Sequence, residues 1–191
     1  MLAPNKSATP KGGFARDEEG SATIEAAFMI PLIFFVVLSM FVIFDTFRLY
    51  ATHQKAAYTL SDMISRETLP IDNDYLDGAH AIFDELTRDP QNSNLRFTVV
   101  NYQADDDEMR VDWSEVRGNF RSLNDTDVRD WSEILPTMVN NERMIIVETY
   151  TTYDPPFATG LGRREIENFI FTRPRYAPQV LFQDLEPEFS S

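Results

Sequence analysis

The chain has 191 residues, enough for one domain and an additional anchoring segment. It contains 31 acidic and 17 basic residues, a net charge of −14. This excess argues against nucleic-acid binding, because neutralising phosphates requires clustered lysine and arginine. The chain contains no cysteine and only two histidines, which excludes disulfides, thiolate nucleophiles, cysteine-based zinc sites and histidine-rich metal centres.

The apolar residues are concentrated in one uncharged segment near the amino terminus. Residues 26–44 form a run of 19 residues, AAFMIPLIFFVVLSMFVIF, which as a helix would span about 28 Å, close to the ~30 Å hydrocarbon core of a bilayer. A secretory signal peptide is the alternative, but its apolar region is shorter and ends at a small-x-small site. Here bulky Leu49 lies two residues before the first candidate, Ala51. The sequence therefore predicts a retained transmembrane segment over residues 21–45, with a kink at Pro31.

The segments on either side of this span are predicted to differ. Residues 1–20 contain several prolines and glycines and are interpreted as an unfolded cytoplasmic leader. Residues 46–67 contain neither, and their spaced apolar residues predict an amphipathic continuation of the helix. The simplest interpretation is one helix from about residue 22 to 67 that ends before Pro70. Three basic residues precede the span and two follow it closely, which favours a cytoplasmic amino terminus.

A second helix and four strands are predicted in the rest of the chain. Asp72 or Asp74 caps a helix over residues 72–88. Its expected apolar stripe consists of Tyr75, Ala79, Ile82, Phe83 and Leu86. Alternating or β-branched runs predict strands at residues 95–103, 108–113, 144–153 and 168–173. The first two strands are joined by a turn at residues 104–107.

The predicted fold class is α+β. A long N-terminal transmembrane helix continues into a domain with a mostly antiparallel four-stranded sheet and short helices. One short helix is expected at residues 127–136, with Val128, Trp131, Ile134 and Leu135 on one side. The water-exposed half of the long helix is the obvious partner for the apolar face of the sheet. We expect residues 68–185 to form the domain and residues 186–191 a loose tail.

No motif predicts catalysis or cofactor binding. The chain lacks G-x-S-x-G, H-E-x-x-H and any phosphate-binding glycine loop, so the protein is predicted not to be an enzyme. The acidic turn at residues 105–108 could hold calcium, although its consecutive carboxylates are more typical of a solvated hairpin turn. His53 and His80 are expected at the surface or partly buried. The aromatic residues expected in the core are Tyr150, Tyr153, Phe169 and Phe171.

A short motif precedes the apolar run. Gly20 is followed by Ser21, and Glu25 is the last charged residue before the apolar run. A carboxylate at the end of a membrane helix is energetically costly. Either headgroup water solvates the Glu25 side chain, or this residue is present because it has a function. The arrangement resembles that of type IV pilin and pseudopilin precursors, in which a glycine precedes the cleavage site and a glutamate lies five residues after it. The resemblance implies processing between Gly20 and Ser21, and a role for Glu25 in the register between subunits.

Two further regions extend the resemblance. The run GSATIEAAFMIPLIFFVVL, with Pro31 a few residues into the span, is similar to the TadE family of minor pilin-like proteins (TadE/TadF/TadG). The same holds for VETYTTYDPPF at residues 147–157 and FTRPRYAPQV at residues 171–180. The chain differs from the major Flp pilins, which are very short and have tyrosine after the glutamate, whereas Ala26 follows Glu25 here.

The resemblance implies a minor pilin-like component of the Tad (Flp, type IVc) pilus assembly machinery. It would be a single-pass protein of the bacterial inner membrane, with a short cytoplasmic amino terminus and a pilin-like periplasmic domain. The implied partners are a prepilin peptidase, other pilin-like subunits, Tad inner-membrane assembly proteins and the lipid bilayer, with no nucleic acid, cofactor or metal. The alternative is an unprocessed single-pass envelope protein whose periplasmic domain binds another partner.

Overall fold

The computed structural model of the chain describes residues 18–89, 93–157, 160 and 162–183. The elements follow one another as α1 (Glu18–Ser65), α2 (Asn73–Thr87), β1 (Asn94–Gln103), β2 (Glu108–Arg117), α3 (Asp125–Val128), a 3₁₀ turn (Arg129–Glu133), β3 (Arg143–Tyr153) and β4 (Arg164–Thr172). This is an α+β architecture, as predicted. The expected leader lies mostly, and the expected tail wholly, outside the described residues.

The four strands form one antiparallel sheet in the order β2-β1-β3-β4. The register between β1 and β2 shifts after Val99, so that Val99 faces Trp113 and Val100 faces Val111. This leaves Asp112 as the extra residue of a β-bulge. Both edge strands are longer than the sequence predicted, because β2 extends to Arg117 and β4 begins at Arg164. Their additional residues are mostly polar, and backbone pairing with β1 and β3 holds them without the apolar alternation that the prediction required.

The long helix is continuous, as predicted, and begins and ends slightly earlier than expected. Helix α1 has 48 residues, a length of about 72 Å. Pro31 lies inside it and cannot donate a hydrogen bond to the preceding turn. The backbone stays helical on both sides of this proline, and the kink remains a prediction.

The second half of α1 packs on one face of the sheet, as expected. There, buried side chains of α1 and α2 meet those of β1, β3 and β4 in the main core. The core residues are Ala56, Ala57, Leu60, Ile64, Ile71, Leu76, Ala79, Phe83, Leu95, Phe97, Val99, Ile145, Val147, Ile170 and Val180. Because this apolar face needs an apolar partner, the carboxy-terminal half of α1 is an integral part of the domain.

The opposite face of the sheet is covered by α3, the 3₁₀ turn and the segment that follows. A second cluster forms there from Val100, Met109, Val128, Leu135, Met138, Met144 and Ile146. The predicted helix over residues 127–136 is therefore shorter and earlier in the structure. Asn124 begins α3 with a capping box, but the chain then tightens into the 3₁₀ turn. Three residues per turn instead of 3.6 rotate the later side chains, and Ile134 is 62% exposed.

Helix α2 has the predicted cap but a different buried side. Asp72 accepts a hydrogen bond from the Tyr75 backbone N–H at 2.8 Å. The buried residues of α2 are Leu76, Ala79, Phe83 and Thr87. Ile82 and Leu86 are exposed, so including them in the apolar stripe was wrong. Each precedes a buried residue by one position, which rotates its side chain about 100° away from the core.

Three of the four aromatic residues expected in the core lie in or against it. Tyr153 is buried, and Tyr150 and Phe169 are half-buried. Phe171 is exposed, which corrects the prediction, because it projects from the edge strand β4 beyond the second cluster. His53 also differs from expectation. It is fully buried between α1 and α2, where its ring packs edge-on against Phe83 with centroids 5.6 Å apart.

Candidate functional site along the amino-terminal helix

The residues of the processing motif lie at the start of α1. The helix begins at Glu18, so Gly20 and Ser21 are in its first turn. The peptide bond between them therefore belongs to a helical segment. The sequence predicted a helix from about residue 22, so the observed start is four residues earlier. A peptidase that binds an extended chain would have to unwind this turn before cutting.

Glu25 lies one turn further along, at the border of the apolar segment. Its side chain is exposed and forms no hydrogen bond or ion pair with the described residues. It lies four residues after Ser21, and positions four apart in a helix are on the same face. A cationic amino terminus at Ser21 would therefore be on the same side of α1 as the carboxylate.

The apolar part of α1 presents its side chains outward. Phe28 is 76% exposed, and most large apolar residues up to Phe44 are exposed as well. Ser39 donates its hydroxyl to the backbone carbonyl of Phe35 at 2.8 Å, which satisfies this polar group without water. Pro31 is also exposed. Within the described residues this is the one helix long and apolar enough to cross a membrane.

The sheet touches α1 a second time where the apolar segment ends, a junction that the sequence analysis did not predict. Tyr153, at the end of β3, donates its hydroxyl to the Asp45 carboxylate at 2.9 Å. Phe157 packs edge-on against Phe41, with ring centroids 6.0 Å apart, and Val42 is buried. Burial and the hydrogen bond to Asp45 raise the pKa of Tyr153. The sequence feature that marks this junction is Asp45, the first charged residue after the apolar run of residues 26–44.

The acidic turn at residues 105–108 joins β1 to β2, as predicted. Three of its carboxylates interact with donors of the domain. Asp107 accepts the hydroxyl of Tyr102 at 2.7 Å. Asp106 pairs with Arg110 at 2.9 Å, and Glu108 lies 3.4 Å from Arg129. Among the described residues no group of three or more histidines and carboxylates is placed to hold a metal ion.

Fold and helix together define a class: an α+β domain built on a long helix whose first half is apolar enough to span a membrane. No protein-family model matches the chain, and no curated protein or solved structure is significantly similar to it. The residues described above therefore carry the functional argument. They are the motif Gly20–Ser21–Glu25, the exposed apolar segment and the helix that continues into the sheet.

Proposed function

We propose that the protein is a minor pilin-like, TadE-like component of the Tad/Flp pilus assembly machinery, anchored in the bacterial inner membrane. The observation that carries the proposal is the continuity of α1. The same helix presents an exposed apolar half and buries its other half under a four-stranded antiparallel sheet. The motif Gly20–Ser21–Glu25 at its start fits the same arrangement. In this proposal the protein contributes to pilus assembly through contacts with other subunits and has no catalytic activity.

In this proposal the amino terminus is cytoplasmic and the domain is periplasmic. The prepilin peptidase cuts between Gly20 and Ser21, and other pilin-like subunits pack against the apolar half of α1. Side-by-side packing of such helices suits the exposed apolar side chains between Phe28 and Phe44, which lipid or neighbouring helices can cover. The subunit acts either in the filament or at the membrane site where the filament is assembled.

The functional test is deletion of the gene in its own host, with surface pili counted by electron microscopy. We expect the deletion strain to lose its pili and a plasmid copy of the wild-type gene to restore them. The restoring copy should also co-purify with other pilin-like subunits after cross-linking in the membrane. Normal piliation of the deletion strain would contradict the proposal.

Processing is tested by amino-terminal sequencing of the protein extracted from membranes that contain the peptidase. We expect the wild-type chain to begin at Ser21. Gly20→Leu should leave the uncut precursor, because a side chain at this position obstructs a peptidase that binds an extended chain. Gly12→Leu places the same side chain within the leader and should be processed normally. A wild-type chain that retains Met1 would refute cleavage.

One observation favours the alternative function, an unprocessed single-pass envelope protein whose periplasmic domain binds another partner. The helix starts at Glu18, before the proposed cut, so the bond between Gly20 and Ser21 is helical in the uncut chain. A helical bond is a poor peptidase substrate. The two functions differ in the experiments above, because the alternative predicts an intact amino terminus together with normal piliation.

A further inference from the structure

The arginines of the domain fall into two groups. Nine of them form an ion pair with a carboxylate: Arg66, Arg96, Arg110, Arg117, Arg121, Arg129, Arg143, Arg173 and Arg175. In the described part of the chain the other four are Arg48, Arg88, Arg163 and Arg164. Their guanidinium groups are exposed and have neither an ion pair nor a hydrogen bond there. In a chain of net charge −14, unpaired arginines call for an explanation.

Two of the unpaired arginines lie on one side of α1, at the end of the apolar segment. Arg48 is one turn beyond Phe44, the last residue of that segment. Arg88 follows α2 in the left-handed conformation, with φ 58°. The two arginines line one groove together with Asp45 and Leu49.

The other two, Arg163 and Arg164, lie at the start of the edge strand β4, beside the same part of α1. Arg164 pairs with Tyr153 of the neighbouring strand β3, and the Tyr153 hydroxyl binds Asp45. Arg164 also lines a groove with Phe47 and Tyr50 of α1. Arg163 adjoins it. All four arginines are therefore placed around the same short stretch of α1, where a bilayer that contains residues 26–44 would end.

We propose that these four arginines bind the phosphate groups of anionic phospholipids and seat the domain on the membrane surface. The inference rests on the membrane anchoring in the proposed function. Guanidinium groups bind phosphate oxygens with paired hydrogen bonds, and basic residues near an anionic surface are attracted within a Debye length of it. The nearby carboxylates of Asp45, Asp154 and Glu165 form no ion pair with these arginines, so the guanidinium groups are available to lipid.

The end of the domain that carries the four unpaired arginines differs in charge from the rest of its surface. Away from this end, every described arginine is paired and the carboxylates are in excess, so the remaining surface is repelled by anionic lipid. Lys55, two turns beyond Arg48 on α1, is also exposed and without an ion pair in the described residues. We therefore expect contact with the bilayer only through the end that carries the four arginines.

The experiment uses the full-length protein in lipid nanodiscs. Because the chain has no cysteine, Gly162→Cys introduces a unique site for a fluorophore beside Arg163. A side chain fits there, since no described residue apart from its chain neighbours lies within 4 Å of the position that a Cβ would occupy. Quenching by a trace lipid with a nitroxide on its headgroup is compared between phosphatidylcholine discs and discs that also contain phosphatidylglycerol.

We expect stronger quenching in the phosphatidylglycerol discs and loss of this difference in high salt. Arg88→Gln with Arg164→Gln should abolish the difference, whereas Arg110→Gln with Arg129→Gln removes the same charge elsewhere and should keep it. Equal quenching of the inserted wild-type protein in both discs would overturn the headgroup contact alone. Failure of the protein to insert into either disc would overturn the membrane anchoring and this inference together.

Discussion

Arg96 and Glu148 face each other on the two central strands, β1 and β3. Both nitrogen-to-oxygen distances of this bidentate pair are 2.6 Å, and the side chains are 12% and 8% exposed. The Arg96 guanidinium also lies over the ring of Phe120, 5.1 Å from its centroid. The nearly buried guanidinium of Arg96 is therefore held by an ion pair with Glu148 and by a cation–π contact with Phe120.

We predict that Glu148→Ala lowers the free energy of unfolding by about 3 kcal/mol, because it leaves the Arg96 charge buried without its partner. Urea unfolding of the full-length protein in mild detergent measures this change. The signal is tryptophan fluorescence, since the chain's two tryptophans, Trp113 and Trp131, are in the domain. Asp106→Ala breaks an exposed pair and should cost less than about 1 kcal/mol. Equal effects of the two substitutions would show that burial of the pair is unimportant.

Glu25 is the residue on which the assembly proposal depends most. After cleavage, Ser21 has an α-amine that is cationic near pH 7. At the edge of the bilayer, an ion pair between this amine and Glu25 of a neighbouring subunit would offset the desolvation of both charges. A shift of one residue between the helices would separate the two charges, so the pair would set the stagger of the subunits.

We predict that Glu25→Ala and Glu25→Gln abolish pilus assembly while processing and membrane insertion stay intact. Glu25→Asp should restore assembly only in part, because its carboxylate is one methylene closer to the helix. Pili are counted by electron microscopy, and processing is followed by the size of the chain. Glu18→Ala is the matched control, since cleavage would remove that residue. Normal piliation with Glu25→Ala would leave this glutamate as a solvated residue at the headgroups.

At the scale of elements, the contact between α1 and α2 contains an unusual polar group. His53 is fully buried, and neither ring nitrogen has a hydrogen-bond partner among the described residues. Burial lowers the pKa of His53 below 6.5, although the charge of Asp89 opposes part of this shift. The imidazole is therefore neutral in the folded protein at pH 7.

We predict that the domain loses stability as the pH falls below about 6.5, the ordinary histidine pKa. Below that pH the unfolded chain binds a proton that the folded chain does not, so the free energy of unfolding decreases until the pH reaches the lowered pKa. Urea unfolding between pH 7 and pH 5 measures the slope. His53→Leu should flatten it. The same slope in wild type and His53→Leu would exclude this histidine as its cause.

The helices and strands whose positions follow from the spacing of apolar residues were predicted from the sequence. Strand ends and buried helix faces that depend on contacts with other elements were not. The long helix, the hairpin and β3 follow from uninterrupted apolar or alternating runs. The early start of β4 does not, because residues such as Glu165 and Glu167 are polar and are held by backbone bonds to β3. The buried side of α2 was also misplaced, since Leu76 and Ile82 are equally apolar and only packing against α1 distinguishes them.

The candidate site shows the same limit. Gly20, Ser21, Glu25 and the apolar segment are adjacent in sequence and could be recognised there. The four unpaired arginines could not, because Arg48, Arg88 and Arg164 come from three different elements. Their common position appears only when the end of α2 and the start of β4 meet α1. Whether an arginine is paired is a property of the folded chain.

At the scale of the whole molecule, the two core clusters lie entirely beyond residue 46. We predict that a fragment of residues 46–191 is soluble and folds without the span. It loses the Tyr153–Asp45 hydrogen bond, the Phe157–Phe41 contact and the buried Val42 side chain described above, which should together reduce stability by about 3–6 kcal/mol. Sedimentation and urea unfolding measure both properties. A fragment of residues 68–191 lacks four buried core residues of α1 and should not fold. Aggregation of the longer fragment in low salt at neutral pH would contradict a self-contained domain.

The two attachments of the sheet to α1 have a mechanical consequence. Leu60 lies in the main core and Asp45 in the junction at the end of the apolar segment, about 22 Å apart along the helix axis. A body fixed to a rod at two separated points cannot swivel about either one. A torque applied to the sheet is therefore delivered to the apolar half of α1, and a tilt of that half swings the sheet with it. If that half spans a membrane, as proposed above, movement of the domain and tilt of the span are coupled.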